Sequence, residues 1–310
     1  MKLFILHTGK ANYPEVAAYT EYFEKNGYFV NSGTMADYRK IADPHNYVLW
    51  CIMGFYPKRL PSRYVIHDYR SLSVGSYITL KDAAKKLLQP RPNLRIFQNE
   101  SMQKLMDFDD SVETILLPMG VPDWIFSCKG SRNGALPTGT FCYMGEITRE
   151  RGVDEFLAGF ASARRGSETL VLVGAVEKEI ADAYQGAPGL IFTGKLPQRD
   201  ALEVVKNCEY AISTIPYSRP YNVQTPTKLL EYAALGKRII CNDSPSNLTA
   251  AAAFGILCKV TGPDIFAGIG QLSDETVPAN DPSSLEHLRW NNVIASSGID
   301  RCLNAALRVH

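Results

Sequence analysis

The second half of the chain alternates short, uninterrupted apolar runs with longer amphipathic stretches, and this rhythm constrains the fold more than any other feature. Runs at residues 140–144, 170–173, 190–192, 210–214 and 238–241 are spaced by helix-like segments near 154–163, 177–184, 198–207 and 226–235. A run such as Leu170-Val171-Leu172-Val173 shows no polar alternation. A strand of that kind must be covered on both faces, so the pattern predicts a parallel sheet between two layers of helices. The first half repeats the pattern less cleanly, with strands expected at 2–6, 47–52, 63–67, 95–97 and 114–116 and a helix at 15–26. Residues 127–139, rich in Gly, Ser, Asn and Pro, read as a linker. The expected division is a Rossmann-like domain over 1–130, a second over 131–290, and a terminal helix over 291–310 packing back on the first.

Two doubly wound domains of this α/β class would face each other across a cleft. Ligands of such sheets bind at the carboxyl ends of the strands, so functional residues belong just after strands. The balance of 33 basic and 32 acidic side chains gives no electrostatic footprint for a nucleic-acid partner. Basic residues cluster at Lys81, Lys85, Lys86, Arg91 and Arg95; the bland reading is a solvated helix face, and peripheral contact with anionic lipid stays open. Seven cysteines, without Cys-x-x-Cys spacing and several within apolar runs, read as reduced and buried. A soluble, cytoplasmic protein is expected, reaching at most the inner face of a membrane. There is no clustered carboxylate set demanding a metal, and no Gly-x-Gly-x-x-Gly after the first strand.

The richest segment is Thr225-Pro226-Thr227-Lys228-Leu229-Leu230-Glu231-Tyr232-Ala233-Ala234-Leu235-Gly236-Lys237. It reads as a helix with Thr225 at the N-cap, Pro226 in the first turn and Gly236 past the end. A helix N-terminus presents free N–H groups and partial positive charge to a diphosphate, and Lys228 would add to that field. Glu231 lies one turn further on nearly the same face, where a carboxylate can accept from both hydroxyls of a ribose. The competing reading is a surface Lys–Glu pair. In the second segment, Gly145-Glu146-Ile147-Thr148-Arg149-Glu150-Arg151-Gly152, a strand ends at Gly145 and Arg149 or Arg151 could clamp phosphate with a planar fork. Gly174 and Gly194 end further strands.

Together these segments resemble the GT-B glycosyltransferases, specifically their large retaining nucleotide-sugar-dependent family (family 4-like). The resemblance spans most of the chain and is strongest over 140–243. It implies transfer of a sugar from a nucleotide-diphosphate sugar to a hydroxyl acceptor, with retention, in glycan or polysaccharide assembly. It implies Lys228, Arg151 and His67 as catalytic residues, and Gly145, Glu146, Arg149, Gly174, Tyr221, Asn222, Thr225, Thr227 and Glu231 around the donor. His7, Gly9 and Asp68 fall on the acceptor side. The donor is a substrate, so neither cofactor nor metal is implied, and the acceptor would be a glycan or a lipid-linked sugar. Two departures stand out: Glu146 follows the strand-end glycine where the family often has arginine, and Val223 stands where it often has a first glutamate. They keep a second reading alive, a GT-B-like protein that binds nucleotide, glycan or a partner without turnover. A third is a sugar-nucleotide epimerase or hydrolase.

Overall fold

The computed structural model describes residues 1–9, 13–52, 54–73, 75, 77–128, 134–268, 272 and 276–308, with side chains to 306. The chain divides into two compact units, Met1–Gly120 with Val223–Thr225 and Arg289–His310, and Val121–Asn222 with Pro226–Leu288. Of the expected linker, residues 129–133 lie outside the described residues, as do 309–310 of the expected terminal helix.

In the first unit, β1 (Lys2–Leu6), β2 (Phe29–Gly33), β3 (Tyr47–Ile52), β4 (Tyr64–Tyr69), β5 (Leu94–Phe97) and β6 (Glu113–Leu116) form one parallel sheet in the order β2-β1-β3-β4-β5-β6. The connections carry α1 (Pro14–Lys25), α2 (Met35–Tyr38), α3 (Ile78–Leu88) and α4 (Glu100–Met106). Pro14 opens α1, and the Asn99 side chain caps α4 by accepting from the Met102 N–H at 2.9 Å. All six residues of β3 are buried, as a central strand with two covered faces requires.

In the second unit, α5 (Asp123–Phe126) precedes β7 (Phe141–Met144), α6 (Val153–Ala163), β8 (Leu170–Val173), α7 (Lys178–Ala183), β9 (Leu190–Gly194) and α8 (Gln198–Asn207). There follow β10 (Tyr210–Ser213), α9 (Thr227–Ala234), β11 (Arg238–Asn242), α10 (Pro245–Phe254) and β12 (Lys259–Thr261). Its parallel sheet runs β12-β11-β10-β7-β8-β9. Phe141, Phe160 and Phe266 anchor one core of the unit, with Phe141 edge-on to both other rings.

The chain then returns to the first unit as α11 (Trp290–Ser296) and α12 (Ile299–Arg308). Trp290 packs edge-on to Tyr19 of α1, and the Tyr22 hydroxyl donates to Asp300 at 2.5 Å. Gly120 lies so close to Trp290 that a Cβ there would stand 2.6 Å from the indole. Among the described residues no helix is long and apolar enough to cross a membrane.

Candidate functional site

Both sheets reverse their order at one place. In the second unit the chain leaves β7 for β8 and β9, then returns to lay β10 on the other side of β7. The crevice beyond the carboxyl ends of β7 and β10 is therefore the switch point where a doubly wound sheet receives its ligand. Lys228 fills that place. Its ammonium lies 4.1 Å from the ring centre of Tyr143, in β7, and donates at 3.3 Å to the carbonyl of Thr214, just past β10. It is only 9% exposed, and burial, with the nearby Arg151 charge, pushes its pKa down to about 7.

Arg151 reaches the same crevice from the loop after β7. One of its Nη atoms stands 3.1 Å from the Glu146 carboxylate, and its guanidinium lies over the ring of Tyr221 at 4.9 Å. The Tyr221 hydroxyl in turn meets Glu150 at 3.1 Å. Two buried polar atoms here, Arg151 Nε and Asn222 Oδ1, have no hydrogen-bond partner among the described residues. Buried groups of this kind are nearly always satisfied, so both are available to a polar ligand. Arg149 is placed differently: it is exposed and paired with Asp154 at 3.1 Å.

The α9 helix presents its start to this crevice, though not as expected. Thr225 is not the N-cap. Pro226 is, the helix begins at Thr227, and no side chain caps it. The Thr225 hydroxyl instead accepts from Asn99 at 3.2 Å and its N–H donates to Gln98 at 2.8 Å, so both are spent within the first unit. The first N–H groups of α9 thus keep their capacity for an anion. Thr227 is exposed at the helix start, and half-buried Glu231 lies one turn on, where Gln198, first residue of α8, donates to its carboxylate at 2.7 Å. Burial pushes that carboxyl up to about 7 against the hydrogen bond from Gln198.

Glycines shape the floor. Gly145 and Gly174 close adjacent strands with φ of +150° and +149°, and a Cβ on Gly174 would stand 1.9 Å from the Gly145 carbonyl oxygen. No side chain fits there, which leaves open backbone beside Lys228 and Arg151.

With this geometry in view, the likeness to known proteins is specific. Residues 138–270 match the family described as Glycosyl transferases group 1. The whole chain shares its architecture with sucrose-phosphate synthase from Thermosynechococcus elongatus (TM-score 0.69, 13% identity, 99% of this chain and 100% of that one). HepE of Anabaena, solved with UDP-glucose, aligns at TM-score 0.65 and 11% identity over 99% and 98% of the two chains. The lipopolysaccharide outer core galactosyltransferase WaaB aligns at 0.61 and 13%, over 99% of each. The chain has the GT-B fold of these enzymes. Comparison with curated protein sequences gives no significant match.

The departures from the glycosyltransferase pattern have physical accounts. Val223 packs against the apolar core cluster of the first unit, so an apolar side chain suits that position. Glu146 forms the ion pair with Arg151, which comes back from five residues on to occupy the strand end.

In the first unit the sheet reverses between β1 and β3, and His7 and Gly9 follow β1 at that edge. His7 accepts from the Gly9 N–H through Nδ1 at 3.2 Å and lies 5.0 Å, ring to ring, from Tyr13. A cavity of about 570 Å³ opens beside it, lined also by Thr20, Glu21, Glu24 and Ser32. The strand expected over 63–67 runs on, as β4, to Tyr69, so His67 and Asp68 lie within it. His67 is buried beside Arg95 on the neighbouring strand, and burial holds its pKa down at about 4. Asp68 is fully buried and accepts from Tyr19 (3.1 Å), Trp50 (2.9 Å) and Arg70 (2.7 Å). Its carboxylate is engaged by these three donors inside the unit.

Sequence reasoning passed over the residues that hold the site's own residues in place. Gln198 fixes Glu231; its only signal is its position at the helix start after β9. Asn242 brackets the turn after β10, accepting from the Ile215 N–H at 3.0 Å and donating to its carbonyl at 2.8 Å. Asn247 donates to the Ser213 carbonyl at 2.7 Å. These two set the turn carrying Thr214, and an asparagine just past an apolar strand was the available cue.

Proposed function

We propose that the chain transfers a sugar from a nucleotide-diphosphate sugar to a hydroxyl of a glycan or lipid-linked acceptor, with retention at the anomeric carbon. The observation that carries this reading is the meeting of buried Lys228, Arg151 and the uncapped start of α9 at one switch point, with Glu231 a turn away. Three positive elements converge where a diphosphate would sit, and a carboxylate follows one helical turn on.

In this mechanism the bond between the anomeric carbon and the diphosphate oxygen breaks. Lys228, Arg151 and the helix start take up the charge that develops on the leaving group. The acceptor oxygen bonds to the same face of that carbon, and its proton passes to the departing phosphate oxygen. No carboxylate base is needed. Glu231, held by Gln198, accepts from the ribose hydroxyls, and Asn222 and Tyr221 border the sugar. On the acceptor side His7, with Thr20, Glu21 and Ser32 on the wall of the cavity beside it, suits a hydroxyl-rich ligand. His67, buried within its strand, is left out of the catalytic set.

HepE has been solved with UDP and with UDP-glucose, so a uridine diphosphate sugar is the first donor to test. The protein is incubated with UDP-glucose, UDP-galactose and UDP-N-acetylglucosamine, with and without a panel of glycoside acceptors. UDP release and the anomeric configuration of the product are read by NMR. Acceptor-dependent release with an unchanged configuration supports the reading. Release of free sugar alone indicates a hydrolase, and an inverted product removes the retaining mechanism.

A further inference from the structure

The α3 helix is turned inside out. Of its eleven residues the only buried one is an acid, Asp82. Leu80, Leu87 and Leu88 stand 68%, 82% and 60% exposed, and Tyr77, just before the helix, is 79% exposed. These are four of the eleven large apolar side chains most exposed among the described residues, gathered within twelve positions. At helical spacing Leu80, Ala84, Leu87 and Leu88 fall within roughly one 100° sector, the width of an apolar stripe that an ordinary helix turns to the core. Lys81 and Lys85 follow along one edge of that stripe, while Lys86 lies on the far side of the helix and donates to the Asp107 carbonyl at 3.2 Å. Exposed Asp107 and Asp109 lie in the turn after α4 and not on α3.

We propose that α3 is a docking face for an anionic lipid bilayer, lying in the interface with Leu80, Leu87 and Leu88 among the acyl chains and Lys81 and Lys85 at the phosphates. Burying the leucines supplies the apolar attachment, and the long lysine stems carry their charges to the headgroup layer. A second copy of the chain fits the face poorly. A symmetric contact through this helix would set the lysines of one copy against those of the other. This inference concerns a surface on the first unit and does not rest on the donor-site reading.

The test is cosedimentation of the full chain with vesicles of phosphatidylcholine, pure or mixed with phosphatidylglycerol. The chain is expected on the mixed vesicles and not on the neutral ones, with partitioning that falls as salt rises. A variant combining Leu80→Ser, Leu87→Ser and Leu88→Ser should lose at least about tenfold in partitioning. Lys81→Gln and Lys85→Gln should each lose about fivefold. All these positions are exposed or half-buried, so circular dichroism and nucleotide binding should be unchanged; a folding defect would show in both. Absence from mixed vesicles, equal binding to neutral ones, or full binding by the triple-serine variant would overturn the proposal. So would a dimer in lipid-free sedimentation velocity that the triple-serine variant converts to monomer, because the face would then be covered by a second copy.

Discussion

At Lys228 and Glu231, two residues of opposite charge type both carry pKa values pushed to about 7, one down and one up. Donor binding needs the lysine charged and the carboxyl ionised. Lys228 loses its charge as pH rises through 7, and Glu231 loses its charge as pH falls through the same value. Nucleotide affinity should therefore peak near neutrality and fall on both sides, a profile that calorimetric titration across pH would trace. At about pH 8 a bound diphosphate should draw a proton onto Lys228, so the heat should depend on buffer ionisation enthalpy. Glu231→Gln should remove the acidic limb and leave the alkaline one. Gln198→Ala, which frees the Glu231 carboxylate without touching the phosphate end, should weaken nucleotide binding by about 1 kcal/mol, a several-fold rise in Kd. Asp68 belongs to the opposite category. It accepts three hydrogen bonds in full burial, and its removal would strand the Arg70 guanidinium. Asp68→Ala should cost about 3–5 kcal/mol in urea unfolding, with no specific effect on nucleotide affinity once folded. From the sequence, Asp68 and Glu231 look alike, each an acid beside an apolar run. What separates them is the set of donors packed around each: Arg70 two positions on plus residues 18 and 49 positions away for Asp68, and one residue 33 away for Glu231.

The elements legible in advance were those with two covered faces. The apolar runs that became β7, β8, β10 and β11, and the helices between them, follow from composition and spacing alone. β2 was not legible, because Phe29-Val30-Asn31-Ser32-Gly33 is an edge strand and need not be apolar throughout. α10 was missed because its run of alanines carries almost no amphipathic signal. The start of α9 was misjudged by one position. Thr225 has the composition of a cap, but Gln98 and Asn99 claim its backbone and hydroxyl, and those partners lie more than a hundred residues away. The paired strand ends at Gly145 and Gly174 test the account at this scale. Gly174→Ala combines left-handed backbone strain with a direct clash against the Gly145 carbonyl. The two costs together should take about 2–5 kcal/mol from stability, measured by urea unfolding. The same change should displace the loop carrying Glu146 and Arg151 and so weaken nucleotide binding as well.

For the molecule as a whole, the alternation of strands and helices was enough to specify two doubly wound sheets. The assignment of chain to unit was less accessible. The first unit recovers Val223–Thr225 and Arg289–His310 from far along the sequence, the latter through Tyr22–Asp300 and Tyr19–Trp290 contacts. No local pattern announces such returns, since they are decided by which apolar faces the first unit leaves to be covered. The central claim is that the second unit binds a nucleotide diphosphate at its switch point through Lys228, Arg151 and Glu231. The most direct test is a thermal-shift titration with UDP, GDP, ADP and CMP on the wild-type chain and on Lys228→Ala, Arg151→Ala and Glu231→Ala. A ligand that binds only the native state raises the melting temperature by mass action. The account predicts a saturable rise with one nucleoside diphosphate, UDP first, that is lost or strongly reduced in all three variants. A rise of equal size in the variants, or none with any nucleotide, would contradict it.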